Sequence, residues 1–328
     1  MTLQDYLKEK TELLERSGIE DAENEAWVIL MSLTDLNRAQ IRFSLAKALD
    51  DCLSAETLWK LEDVWVRRAD HEPLAYIIGK APFYDLEFDV GPGVLIPRFD
   101  TEILVETALA SLGCEVMLPH VEQVPQVEQN AEDSVDDNED NTVTNIEISG
   151  IPSIIRIFDL CTGSGCVGIT IAHELMRRGI PFELVMTEIS EEAARYATAN
   201  AMRILGDGDW KVERVDLWPT ITEEWEKADL IVSNPPYITK EEMEDLAIEV
   251  RDKEPSLALT DGGDGLTLYR RICAELPSYL RQGGVLAVEH GCDQGEAVRT
   301  LLHPVLGSVG TLQDYGGHDR VTCGRREV

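Results

Sequence analysis

Asn234-Pro235-Pro236-Tyr237 is the segment whose residue types most clearly suggest chemistry. It follows an apolar run, Asp229-Leu230-Ile231-Val232-Ser233, that reads as a strand. Two successive prolines fix φ and supply no N–H, so the carbonyls around them are free to accept hydrogen bonds. The Asn234 side chain adds an acceptor oxygen beside a donor, and Tyr237 adds a flat apolar face. Two acceptors and a stacking face suit a planar NH2 group, such as an amide or an amino-bearing base. A proline turn that only ends a strand is the competing reading.

A second constellation lies upstream, at Asp159-Leu160-Cys161-Thr162-Gly163-Ser164-Gly165-Cys166. An apolar strand ends there in a glycine turn that opens a helix. Glycines let the backbone approach a ligand, and a helix N-terminus offers free N–H groups. No Gly-Lys-Ser/Thr follows, so the turn is not a P-loop, and Cys161 stands where a dinucleotide fingerprint would begin with glycine. Alone, the turn is equally a structural device. Glu188, about 25 residues beyond the glycines at the end of the next expected strand, adds an acid suited to accepting ribose hydroxyls.

These residues need a scaffold that brings strand ends together. From Ile154 onward the chain alternates strand and helix patterns: strands at 154–160, 182–188, 212–216, 230–233 and 284–289, with helices at 166–178, 191–205, 266–280 and 294–302. Two further strands are expected near 308–314 and 320–323. This alternation predicts a mainly parallel sheet covered by helices, with ligands at the carboxyl ends of its strands. The first seventy or so residues instead carry apolar residues at helical spacing and read as a small bundle. Between the two, Phe83–Val90 alternates as a strand, Gly91-Pro92-Gly93 is a turn, and Val94–Arg98 is a short strand stopped by proline. A helix then starts at Asp100 or Thr101, with Thr101 as its cap. Residues 113–150 hold about ten acids and no Lys or Arg, and read as a disordered surface insertion.

Composition narrows the partners. With 62 acidic and 29 basic side chains, the formal charge is -33, which opposes general binding to nucleic acid or anionic membranes. At roughly 150 residues per domain, 328 residues suggest about two domains. No apolar run is long enough to span a bilayer, and Met1–Asp5 lacks the basic-then-apolar start of a secretory signal. Seven scattered cysteines without a C-x-x-C pair point to no zinc knuckle or disulfide framework, hence no metal site and a reducing, cytoplasmic setting.

Taken together, these residues resemble the class I S-adenosylmethionine-dependent methyltransferases that act on planar NH2 groups. Among them the chain closely resembles the HemK/PrmC family of protein-glutamine N5-methyltransferases. The matching segments include Glu72–Tyr76, Leu95-Ile96-Pro97-Arg98-Phe99-Asp100-Thr101-Glu102, Asp159–Gly165, Ser233–Tyr237, Glu254–Leu259, Glu289-His290-Gly291, Gln294–Arg299 and Asp319-Arg320-Val321. The resemblance covers nearly the whole chain outside 113–150. Asn-Pro-Pro-Tyr is shared with nucleic-acid methyltransferases, whereas the Ile-Pro-Arg-x-Asp-Thr-Glu block is more particular.

The resemblance implies an α/β fold with a Rossmann-like, mainly parallel seven-stranded sheet and an N-terminal helical bundle. It implies residues 1–71 as a substrate-recognition domain, 72–97 as a β-hairpin linker and 98–328 as the methyltransferase domain. It implies S-adenosyl-L-methionine as cofactor, bound by Cys161, Thr162, Gly163, Ser164, Gly165, Glu188, Asp216, Leu217 and Asn234. The substrate would be the glutamine of the Gly-Gly-Gln motif in peptide chain release factors, with Asn234, Pro235, Pro236 and Tyr237 as the catalytic set. Cys161 replaces the family's usual glycine, Glu188 its more common aspartate, and Phe99 a common proline. Three other readings stay open: glutamine methylation of a ribosomal protein, amino-group methylation of a nucleic-acid base, and a cofactor-binding protein without activity.

Overall fold

Capped, amphipathic segments build the amino-terminal region. The structure, a computed structural model, describes residues 1–34, 36–114, 154–221 and 226–327. Helix α1 (Leu3–Arg16) starts at Thr2, whose hydroxyl accepts from the Asp5 N–H while the Asp5 carboxylate accepts from the Thr2 N–H. Asn37 and Gln40 cap α3 (Arg38–Ser44) in the same reciprocal way, and Ser54 caps α5 (Ala55–Ala69). With α2 (Ala22–Leu33) and the single turn α4 (Leu49–Cys52), they enclose a core containing Leu3, Leu14, Ile29, Leu30, Leu61 and Trp65. The Trp65 indole N–H donates to the Tyr6 hydroxyl at 2.9 Å.

The short helix α6 (Leu74–Ile78) stops at Gly79, which takes the left-handed conformation that ends a helix cleanly. Strands β1 (Lys80–Phe83) and β2 (Leu86–Asp89) pair antiparallel around a turn in which Tyr84 has φ 58°. The alternation over 83–90 therefore belongs to a turn and one arm of a hairpin, not to one strand. Phe83, Phe88 and Val90 are buried in the core beneath the main sheet. Val94–Arg98, expected as a strand, is an irregular strap: Pro97 removes a donor, and no strand lies beside it. The Tyr76 hydroxyl holds the strap by donating to the Val94 carbonyl at 2.6 Å.

A 3-10 turn (Phe99–Thr101) leads into α7 (Glu102–Ser111). The elements of the main sheet and its helices follow: β3 (Ile155–Leu160), α8 (Cys166–Arg177), β4 (Phe182–Glu188), α9 (Glu191–Leu205), β5 (Trp210–Arg214), β6 (Ala228–Ser233), α10 (Ile248–Lys253), α11 (Ser256–Leu259), α12 (Thr267–Tyr279), β7 (Leu280–Glu289), α13 (Gly295–Leu302), β8 (Gly307–Gln313) and β9 (Asp319–Arg325). Seven strands form one sheet in the order β5-β4-β3-β6-β7-β9-β8. The first five of that order run parallel, and β9 is antiparallel to both of its neighbours. Alternate residues feed opposite faces: Ile155, Ile157, Leu184, Met186, Leu230 and Val232 one core, Phe158, Leu160, Val185, Ile231, Leu286 and Val288 the other.

Because β3 sits between β4 and β6, the chain winds outward from it in both directions. The crevice at the carboxyl ends of β3, β4 and β6 is thus the topological switch point. Polar contacts join the helical region to this body. Arg68 binds Glu25 and, at 2.8 Å, Glu249 on α10, and Lys253 binds Asp70 at 2.7 Å. The acidic segment expected at 113–150 lies, apart from Gly113 and Cys114, outside the described residues.

Candidate active site

Turning from β3 into α8 within a few residues requires left-handed backbone. Cys161, Gly163 and Gly165 all adopt it, at φ 58°, 57° and 84°. Glycine takes such angles freely, whereas a non-glycine residue there costs about 1–2 kcal/mol. Cys161 thus occupies the conformation that favours the glycine usual at its position, and the turn forms with cysteine in place. The two glycines have different reasons. A Cβ on Gly165 would approach the Ile169 side chain to 2.4 Å, so Gly165 permits packing. A Cβ on Gly163 would meet open space, so Gly163 bares its backbone to the cavity. Asp159 supports the turn from below, accepting from the Thr162 hydroxyl and from the Gly168 N–H at 3.0 Å. Burial pushes its carboxyl up to about 7, against these two donors.

Glu188 ends β4 and faces the same turn. It accepts from the Gly163 N–H at 3.0 Å and the Ser190 N–H at 2.8 Å, one on each oxygen, which leaves lone pairs for further donors. Burial raises its pKa, and the backbone donors pull it back. Beyond β5, Leu217 is buried in a left-handed conformation at φ 75°, with its carbonyl accepting from the Thr187 hydroxyl at 2.7 Å. Asp216 is largely exposed and pairs with Arg271 at 3.1 Å. The strand before them covers 210–214, not 212–216, so both residues stand on the loop.

Ser233 donates to the Leu160 carbonyl at 2.9 Å, locking β6 to β3 just before Asn234. The Asn234 amide nitrogen donates to Thr101 Oγ1 at 3.2 Å. Thr101 stands at the expected N-cap position of α7. It lies in helical backbone with no capping bond, and its buried hydroxyl serves Asn234 instead. Pro235 is buried. Tyr237 turns its hydroxyl to Glu289 Oε1 at 3.4 Å and packs against the second sheet core. Its pKa is raised, chiefly by burial.

A cavity of about 370 Å³ unites these elements. Of the residues singled out from sequence, Cys161, Thr162, Gly163, Ser164, Glu188, Asp216, Leu217, Asn234 and Pro236 line it, whereas Gly165, Pro235 and Tyr237 do not. Sequence reasoning gave no cavity role to Arg98, Thr101, Leu257 or Arg271, which also line it. Arg98 is paired with Glu254, whose other oxygen accepts from the Ile96 N–H at 3.1 Å. This ties the strap to the residues before α11. Both segments had been singled out by type, but their pairing joins residues 156 positions apart. Among the described residues, one His/Asp/Glu group, Asp85, His173 and Glu174, has metal-compatible spacing. It lies outside this cavity, and Arg177 already binds both of its carboxylates.

The arrangement offers a nucleoside-sized cavity with an acid at one side, bare glycine backbone at the turn and an oriented amide at the floor. Comparison with known proteins gives the family. Residues 5–79 match the PrmC N-terminal domain model, and residues 131–271 match the methyltransferase small domain model. The release factor glutamine methyltransferase of Vibrio cholerae is 34% identical over 99% of this chain and 97% of its own. The chain belongs to the release factor glutamine methyltransferase family. The Bacillus subtilis member is 32% identical, covering 98% of this chain and 97% of its own, and the Fusobacterium nucleatum member is 31% identical, covering 99% and 79%. A solved methyltransferase from Pyrococcus furiosus is 15% identical, covering 52% of this chain and 75% of its own, with a TM-score of 0.37. The fold is that of a class I methyltransferase. Among the described residues, no helix is long and apolar enough to cross a membrane.

Proposed function

We propose that this family member transfers a methyl group from S-adenosyl-L-methionine to the side-chain nitrogen of the glutamine in the Gly-Gly-Gln motif of peptide chain release factors. The observation that carries the reading is Asn234, at the carboxyl end of β6, lining the cavity with its amide nitrogen already engaged by Thr101. The amide oxygen is thereby left for a substrate N–H.

The cavity suits the cofactor. Its volume is within the range of small-molecule sites. Glu188 has spare acceptor capacity for ribose hydroxyls, Gly163 leaves room at its Cα, and Leu217 gives an apolar wall for a base. S-Adenosylmethionine, when bound, supplies an electrophilic methyl on a sulfonium leaving group. The protein's part is position and electrostatics. A glutamine amide nitrogen is a poor nucleophile because its lone pair is delocalised into the carbonyl. Asn234 Oδ1 and the carbonyl of Pro235, whose ring is buried between the lining residues Asn234 and Pro236, would accept hydrogen bonds from its two N–H groups, fix its direction and stabilise positive charge developing there, one proton leaving the nitrogen for solvent as the N–CH3 bond replaces the S–CH3 bond. Pro236 would wall the site, and Tyr237 would support this turn from behind. The helical region, residues 1–71, would supply the larger surface that a protein substrate needs. The cytoplasm, where release factors work, suits seven unpaired cysteines.

The test uses purified chain, methyl-labelled cofactor and intact release factor. Label should enter wild-type release factor and be absent when the motif glutamine is replaced by asparagine. Equal labelling of the two, or preferential labelling of ribosomal protein or RNA, would overturn the proposal.

A further inference from the structure

An asparagine can present an acceptor to a substrate only if its own amide is held one way round. Its oxygen and nitrogen are nearly equal in size and opposite in hydrogen-bond character. Thr101 alone does not settle the direction, because a hydroxyl can donate or accept. What lies behind Thr101 does. Glu289 ends β7, is 2% exposed, and the Thr101 hydroxyl stands near enough to help hold its carboxyl in the ionised form. An ionised carboxylate only accepts. The Asn234 nitrogen donates to Thr101 at 3.2 Å, which leaves the Thr101 proton free to turn toward an ionised Glu289 while its lone pairs serve Asn234. Among the described residues Glu289 Oε2 is buried with no hydrogen-bond partner, so the carboxylate has an acceptor to spare for a hydroxyl beside it. Oε1 faces the Tyr237 hydroxyl at 3.4 Å, and the Glu289 backbone carbonyl is tied by the Tyr269 hydroxyl at 2.6 Å.

We propose that Thr101 and Glu289 are positioning residues for methyl transfer: ionised Glu289 sets the direction of the relay Asn234–Thr101–Glu289, so that Asn234 shows the substrate its oxygen. This rests on the reading of Asn234 as the residue that binds the substrate amide.

The relay has a pH dependence with a definite sign. Burial holds the Glu289 carboxyl up, at about 7, against the Thr101 donor, the Arg320 charge and the Tyr237 hydroxyl. The ionisable groups around it are Arg320 on β9, itself paired with Asp314 at 3.0 Å and Asp100 at 3.5 Å, Tyr237 after β6, Tyr269 on α12 and Cys166 at the start of α8. Once protonated, Glu289 can donate to Thr101. The Thr101 proton is then free for Asn234 Oδ1, and the amide turns its NH2 toward the substrate's own N–H. Turnover should therefore fall as pH drops through about 7, with the ionised form active.

The experiment compares full-length wild type with Thr101→Val, Thr101→Ser, Glu289→Gln, Asn234→Ala and the Thr101→Val/Asn234→Ala double variant. It measures kcat and KM on release factor, cofactor affinity by titration, and kcat from about pH 6 to pH 8.5, a range chosen to span the expected change. Thr101→Val should lower kcat about 10–100-fold while cofactor affinity changes less than about threefold, as for loss of a transition-state interaction. Thr101→Ser should restore most of kcat. Glu289→Gln should lower kcat and abolish its acid limb near 7. Thr101→Val should cost nothing further once Asn234 is alanine, because it acts through that residue. If Asn234→Ala is inactive while Thr101→Val and Glu289→Gln keep wild-type kcat, the relay is wrong and the role of Asn234 stands. If Asn234→Ala retains wild-type turnover, the underlying reading has failed. Should Thr101→Val not fold, the Glu289→Gln profile decides, and an unchanged acid limb refutes the relay.

Discussion

Two carboxylates in this molecule are acceptors in different senses, and their surroundings separate their roles. Glu188 opens onto the cavity and spends only part of its capacity on backbone N–H groups. Glu188→Ala should therefore weaken cofactor binding more than it slows turnover at saturating cofactor; a calorimetric titration with unchanged affinity would take Glu188 out of the site. Glu289 is enclosed, and burial raises its carboxyl from 4.5 to about 7. A raised carboxyl favours folding while protonated. Its contribution is complete below 4.5 and lost as pH rises through about 7. Asp159 titrates in the same sense, from 3.8 to about 7. The thermal midpoint of the wild type should accordingly decline from about pH 5 to pH 8, and Glu289→Gln should make that decline shallower. Identical slopes in differential scanning fluorimetry would show that Glu289 does not titrate in this window.

At the scale of elements, the cavity depends on a strap that has no sheet to belong to. Val94–Arg98 is held by the Tyr76 hydroxyl and by Glu254, whose carboxylate joins the Ile96 N–H to the Arg98 guanidinium. Glu254→Ala strands a part-buried N–H and half of an ion pair. It should lower stability by about 1–3 kcal/mol, the cost of leaving such a group unsatisfied, and loosen the wall that carries Thr101. Urea unfolding would measure it, and a midpoint equal to wild type would mean the strap is held by packing alone. This dependence also marks where sequence reading stops. The strands over 182–188 and helix over 191–205 were legible to the residue, because apolar periodicity and caps are local signals. Glu188, Gly163 and Asn234 were legible because each sits at a strand end beside turn residues. The strap was misread as a strand, since a short β-branched run looks the same with or without a neighbour. Thr101 stands at the N-cap as expected, but its hydroxyl makes no capping bond there. Its true partner is 133 positions away, and nothing local announces it.

At the scale of the whole molecule, the described residues form three apolar cores, two against the sheet and one enclosed by α1 to α5. The buried residues of the third all lie between Leu3 and Trp65, which makes the helical region separable in principle. Its links to the body are largely polar: Arg68 to Glu249 and Lys253 to Asp70, with the carboxylates of Glu249 and Asp70 exposed. Such pairs fix an orientation better than they stabilise it. The residues lining the switch-point cavity all lie at or beyond Gly93, so under the proposed function cofactor binding should not require α1 to α5. A protein substrate does require more surface than one glutamine offers, since stable protein interfaces bury about 1,200–2,000 Å². A chain beginning at Glu72 should thus keep cofactor affinity and lose most activity on intact release factor. Leu74 and Ile77, which pack against the helical core, would be newly exposed by the cut, so both should be changed to polar residues and cooperative unfolding confirmed before kinetics. The loss should appear in kcat/KM for release factor and not in the cofactor titration. A well-folded shortened chain that methylates intact release factor as fast as the full protein would show that α1 to α5 take no part in recognition.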